Sequence, residues 1–415
     1  MKPQLLMAAQ FALVAYVGCS STPVGTASAP DKSTIGLGDL SDAPIDGVGQ
    51  ELEARFNEGD ALFDLPYRDA DGLGPLYIRT RCSSCHNGGA RGPGLIQTMA
   101  VVESDGATPA ADQSRLAFGH TARALLAAGA KTPISPPPGD PNIRIGIRLG
   151  PPVFGRGYME AVLDSEIERV EREQAARTDG IHGRINRVVY PSEANPDTTV
   201  HTHKKGDANL IGRFGLKART ATLDDFAAGA LQGDIGITSP LRPNELPNPD
   251  GLTDDLKRGV DVPIETVNTL ANYVRLLAIP TRAVTEATER GRELFDRVKC
   301  SVCHVPSLKT RPDYPLKVLA GIDAHVFTDF LLHNWGNDAA DGMTDGQATS
   351  QSWRTAPLVG LRFNKTFLHD GHALSVEQAI LFHDNPGSEP SVAAKLFLQL
   401  SQEERTTLVD YVSAL

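Results

Sequence analysis

Four of the five cysteines stand in two matching settings, Cys82-Ser83-Ser84-Cys85-His86 and Cys300-Ser301-Val302-Cys303-His304. Two thiols separated by two residues lie on one face of a single turn. From there both can form thioether bonds to the vinyl groups of one haem, and the adjacent histidine can reach the iron. Zinc is the competing chemistry, because Cys-x-x-Cys pairs also share tetrahedral metals. A histidine directly after both pairs favours haem. A disulfide inside either pair would close a tiny, strained loop. Two covalently bound haems c are therefore expected, with His86 and His304 as iron ligands.

The fifth cysteine belongs to a leader. Lys2, an apolar stretch from Leu5 to Val17 and then Gly18-Cys19 follow the plan of an export signal, too short to span a bilayer. The small residue before cysteine resembles a bacterial lipoprotein cleavage site, although Tyr16 stands where an aliphatic residue is usual. Removal of residues 1–18 and lipidation of Cys19 are expected; an ordinary cleaved signal is the alternative. Ser20 after the cysteine favours the outer membrane, facing the periplasm of a Gram-negative cell. Residues 19–49 carry few large apolar groups at their start and read as a flexible tether. Membrane contact is expected through the lipid alone.

The elements that must hold these motifs come from a repeat. Thr269-Leu270-Ala271-Asn272-Tyr273-Val274 matches Thr407-Leu408-Val409-Asp410-Tyr411-Val412, and each segment predicts an amphipathic closing helix. Ser401 and Glu404 form a capping box before the second. Val284, Ala287, Leu294, Phe295 and Val298 predict an opening helix ahead of Cys300. Arg148-Leu149-Gly150-Pro151 parallels Arg354-Thr355-Ala356-Pro357, and Thr222-Leu223-Asp224 parallels Ser375-Val376-Glu377. The fold expected is mainly α: two cytochrome c-like haem domains in tandem, residues 50–282 and 283–415. The first is enlarged by loop insertions near 100–147 and 178–210. Arg148 and Arg354 suit haem propionates, since guanidinium matches carboxylate bidentately, or are plain surface arginines.

With 51 acidic against 40 basic side chains and a net charge of −11, the 415-residue chain is no nucleic-acid binder. A basic redox partner such as a small cytochrome suits that charge.

These motifs resemble the bacterial di-haem cytochrome c peroxidases and, more closely, the di-haem oxidoreductase group sometimes labelled thiol oxidoreductases. The resemblance rests on both Cys-x-x-Cys-His sites, Gly74-Pro75-Leu76, Arg213-Phe214-Gly215-Leu216-Lys217-Ala218 and Asp234-Ile235-Gly236-Ile237-Thr238. It continues through Leu331-Leu332-His333, Trp353-Arg354-Thr355-Ala356-Pro357 and Leu368-His369-Asp370-Gly371, and covers about residues 50–415. It implies a peroxide-reacting N-terminal haem that receives electrons through the C-terminal one, and it admits a Ca2+ ion. Relatives place the distal ligand of the C-terminal haem fourteen residues after the histidine matching His369, which is His383 here; Met343 is the rival.

The repeat sets Ala230 at the place of His383, so the first iron lacks a ligand from that helix. His120, His182, His201 and His203 are the alternatives, each also readable as a surface histidine. Relatives carry a distal glutamate where this chain has Gly236. Asp234 is the candidate proton carrier in its stead, with Glu160 second. Trp353 suits electron passage between haems or a place in the core. Beside the peroxidase reading stand a purely electron-transferring di-haem cytochrome and an oxidase of a thiol or partner protein. A pyridine haemochrome assay on the purified protein should count two haems c per chain; one haem or none would break the motif reading.

Overall fold

The computed structural model describes residues 42–90, 92, 94–252, 257–282 and 285–415. The leader and Cys19, most of the tether, and Val284 lie outside the described residues. Nine α-helices are found among the described residues, with short two-stranded ladders between them.

Helix α1 (Gln50–Asp64) packs on α5 (Ile264–Leu276), and α6 (Glu286–Arg297) packs on α9 (Gln402–Ala414). The contact is built the same way twice. A Cβ at Gly59 would lie 2.5 Å from Tyr273 Cβ, and one at Gly291 would lie 2.2 Å from Tyr411 Cβ. Only glycine lets the backbones come this close. Four residues after each glycine comes Phe63 or Phe295, with ring centroids 5.1 and 5.7 Å from the same two tyrosines. Those phenylalanines lie 6.2 Å from the His86 ring and 6.4 Å from the His304 ring. Each closing helix thus holds an opening helix over one Cys-x-x-Cys-His turn. The expected capping box is present, Ser401 Oγ accepting from Glu404 N–H at 3.2 Å while Glu404 Oε2 accepts from Ser401 N–H at 3.0 Å.

The segment read as a loop insertion near 100–147 also carries sheet. After a short β1 (Leu76–Tyr77), β2 (Leu95–Val101) pairs antiparallel with β4 (Ile143–Leu149) over seven residue pairs, while β3 (Leu125–Leu126) pairs with β1. Strand β4 ends in the loop Gly150-Pro151-Pro152, followed by the buried helix α2 (Arg156–Ala161) and then α3 (Asp164–Ala175). Helix α4 (Leu223–Ala230) starts after Thr222, as the repeat required. So does α7 (Val376–Phe382), whose N-cap Ser375 accepts from Gln378 N–H; α8 (Ser391–Leu398) follows it.

The larger hydrophobic core combines α1, α2 and α5 with Leu308, Tyr314, Leu319, Val326 and Phe330, all from beyond the second motif. The smaller core joins α6 and α9 to Phe327, Leu361, Val376 and Phe397. One buried ion pair ties the larger core together. Glu160 takes Arg275 Nε at 2.6 Å, Tyr314 Oη at 2.8 Å and the Leu223 N–H at 2.8 Å. Burial raises the Glu160 carboxyl, but Arg275 and these hydrogen bonds outweigh it and hold the group below the usual carboxylate range. Removing one partner strands a buried charge at a cost of about 3–5 kcal/mol. Arg275→Met should therefore lower unfolding stability by about that amount in urea titrations followed by circular dichroism. Loss of the exposed Arg55–Glu51 pair should cost no more than about 0.5 kcal/mol.

Candidate haem sites

Each motif begins with a tight turn, Cys82–Ser84 or Cys300–Val302, in which the first cysteine's carbonyl accepts the histidine N–H at 3.1 Å or 3.0 Å. Both thiols and the imidazole then border one cavity. The first encloses about 940 Å³ and the second about 1620 Å³ of non-protein space, mouths included. Their walls are overwhelmingly apolar, as a macrocycle requires.

The imidazoles are preset as ligands. A carbonyl only accepts, so His86 Nδ1 must donate to Pro151 O at 2.8 Å, and His304 Nδ1 to Phe327 O at 3.3 Å. In each ring this leaves Nε2 with its lone pair free. Burial pushes both imidazoles down to about 4, so they are neutral at physiological pH. A side chain at Gly150 would crowd His86, its Cβ falling 3.1 Å from Cε1, and one at Gly94 would strike Cys85 Sγ at 2.2 Å. Glycine at both places keeps the ring and the thiol where they are.

Burial drives the Cys82 and Cys300 thiols up to about 12. Among the described residues, the grouping that could hold an ion is Cys303, Asp329 and His333. Both nitrogens of His333 are already bonded there, Nε2 to Asp329 at 2.9 Å and Nδ1 to Glu389 at 2.8 Å, so no lone pair is left for a metal. Haem fits better. Thr355 Oγ1 and Asn364 Oδ1, in residues bordering the second cavity, are buried without hydrogen-bond partners and could meet a polar cofactor edge.

His383 borders the second cavity with His304, and its own Nδ1 donates to Ala379 O at 2.7 Å, again freeing Nε2. The Trp335 ring packs on it, centroids 4.6 Å apart. Met343 does not line this cavity; it is buried in a loop where its N–H meets Asp341 Oδ1. At the first cavity, His86 is the one imidazole among the described lining residues, and Ala230 stands on the wall as the repeat placed it. The four alternative histidines lie elsewhere. His120 bonds Met99 O, His182 bonds Gln174 O, His201 bonds Asp224, and His203 stacks on His201.

Asp234 borders the first cavity, and burial pushes its carboxyl up to about 6 against the pull of Arg219. Two expectations need correction. Glu160 is not on a cavity wall, because Arg275 and Tyr314 hold it in the core. Arg148 is not a propionate partner, because its guanidinium is taken by Asp341 at 2.7 Å and Asp345 at 3.0 Å, outside both cavities. Arg354 does reach both cavities, and the arginine beside it is Arg156. Parallel proline loops pointed to Arg148; nothing in the spacing marked Arg156. Trp353 is buried in the second wall, stacked on His369 at 3.8 Å with Lys217 Nζ 4.1 Å from its ring centre.

This fold and these paired cavities are those of a di-haem redox protein. The chain belongs to the family described as "di-haem oxidoreductase, putative peroxidase", which matches residues 139–415. Among solved structures it is similar to hydrazine synthase of Kuenenia stuttgartiensis, at 14% identity over 100% of both chains with a TM-score of 0.40. It is also similar to a MauG-like protein associated with microbial copper homeostasis, at 16% identity over 90% of this chain and 91% of that one, TM-score 0.38. The di-haem peroxidase BthA of Burkholderia thailandensis matches at 14% identity over 87% and 86%, TM-score 0.40. No curated protein matches the sequence.

His383→Ala should alter the optical and paramagnetic-resonance signals of the C-terminal haem and leave those of the other haem unchanged. An unaltered C-terminal signal would remove His383 from the coordination.

Proposed function

We propose that the chain is an exported di-haem c oxidoreductase that reduces peroxide. Cys82, Cys85 and His86 hold the peroxide-reacting haem in the domain of residues 50–282. Cys300, Cys303, His304 and His383 hold the electron-receiving haem in the domain of residues 283–415. Cys19 anchors the protein by lipid at the periplasmic side of the outer membrane, and a small basic cytochrome delivers electrons to the acidic surface.

One observation carries the reading: the first cavity has a single lining imidazole among the described residues, with Ala230 in place of a second ligand and Asp234 on the same wall. Haem held here by Cys82, Cys85 and His86 would supply a redox-active iron to which peroxide could bind. Reduction of one hydrogen peroxide to two waters takes two electrons and two protons. The Asp234 carboxylate accepts the proton of the oxygen that stays and returns it to the oxygen that leaves. Phe226, Ala227 and Leu231 keep this wall apolar. A carboxyl lifted toward neutrality by burial is suited to both halves of that transfer, since neither protonation state is strongly preferred.

The sign of the pH effect follows. Below about pH 6 Asp234 is protonated and cannot accept; above it the base is free. The stopped-flow rate of peroxide reaction at the oxidisable haem should therefore rise through about pH 6. In Asp234→Asn it should fall by roughly 10²–10⁴ and lose that limb. Cyanide should change the spectrum of the N-terminal haem alone. No cyanide response at that haem would leave an electron-transfer cytochrome, and a limb that persists in the Asn variant would dismiss Asp234.

A further inference from the structure

The two cavities share a wall. Pro151, Pro152, Arg156 and Arg354 border both of them. The two arginines are each only 6% exposed. Arg156 is bonded to Pro152 O and to Met159 Sδ, and Arg354 to Gly215 O and Thr355 O. Among the described residues no carboxylate forms an ion pair with either. Asp329, whose charge acts on Arg354, is engaged by Gln174 and His333. Two adjacent buried cations with only neutral partners are costly, several kcal/mol each by general desolvation arguments, unless an anion joins them. Both face spaces shaped for a cofactor that carries carboxylates, and guanidinium is the side chain that binds carboxylate as a fork.

We propose that Arg156 and Arg354 form one cationic clamp shared by both haems, binding propionates from each cavity and tying the two redox potentials to the same pair of charges. The inference rests on the two-haem reading. A buried positive charge disfavours the oxidised, more positive iron, so losing it must lower the potential of every haem it serves. At about 10 Å and an effective dielectric of about 20, one charge moves a one-electron equilibrium by roughly tenfold, about 59 mV.

The test is spectropotentiometry on the holoprotein, with haem counted in each sample. In Arg156→Gln and in Arg354→Gln, the oxidised-to-reduced ratio should shift about tenfold toward oxidised at both haems. Arg156→Lys and Arg354→Lys, which keep the charge, should restore most of it, and the surface variant Arg169→Gln should move neither haem. A shift confined to one haem, no shift, or lysine variants falling as far as glutamine ones would overturn the clamp. If a glutamine variant sheds a haem, its lysine counterpart decides: both haems retained at near-native potentials supports the clamp, and loss there too overturns it. A wild-type protein with fewer than two haems would instead defeat the two-haem reading.

Discussion

An imidazole that is to bind iron must keep one nitrogen free, and it does so most securely by giving the other to a fixed acceptor. Here that acceptor is a backbone carbonyl in all three candidate iron ligands, His86, His304 and His383. For His86 the carbonyl is Pro151, 65 residues away in sequence, and for His304 it is Phe327. Only His383 uses a local carbonyl, one helical turn back at Ala379. The loop around Pro151 is therefore held on all sides. Leu149 N–H meets His369 O at 2.8 Å, Gly150 N–H meets Gly94 O at 3.2 Å, and Val153 N–H meets Gly89 O at 2.8 Å. A loop so stapled touches both halves of the chain and forms the partition between the cavities.

From that partition the remaining architecture follows. The loop feeds directly into α2, every residue of which is buried, and α2 delivers Arg156 to the partition and Glu160 to the core. Glu160 is met by α5 through Arg275 and by the second half of the chain through Tyr314, so the larger core draws on both halves. Buried charge is arranged in two opposite ways within six residues. Glu160 has its cation and sits below the ordinary carboxylate range; Arg156 has none, and burial with the neighbouring Arg354 brings it down to about 9. A satisfied ion pair is structural material, whereas an unsatisfied buried cation on a cavity wall marks a place for an anion.

Much of this was legible in the residues. The chemistry expected of a Cys-x-x-Cys-His motif is local, so Cys82, Cys85, His86, Cys300, Cys303 and His304 announce themselves by spacing. The helical repeat located α5 and α9, and it set Ala230 and His383 at corresponding positions on two cavity walls. It also carried an error, because Arg148 and Arg354 precede similar proline loops yet only one reaches a cavity. Arg148 lies on β4, where strand alternation turns it toward Asp341 and Asp345 and away from the haem side. Glu160 looked available in sequence, and a partner 115 residues away removes it.

What the sequence determined by itself is what depends on neighbours along the chain: two Cys-x-x-Cys-His turns, their closing helices, and one helix position that is histidine in the second copy and alanine in the first. What only the tertiary structure decided is the assignment of long-range partners. Which carboxylate is neutralised, which arginine is left without an acid, and which loop both cavities share depend on contacts between segments 65 to 197 residues apart. Electrostatics and hydrogen bonding act through space, and no local spacing rule encodes which distant group arrives first.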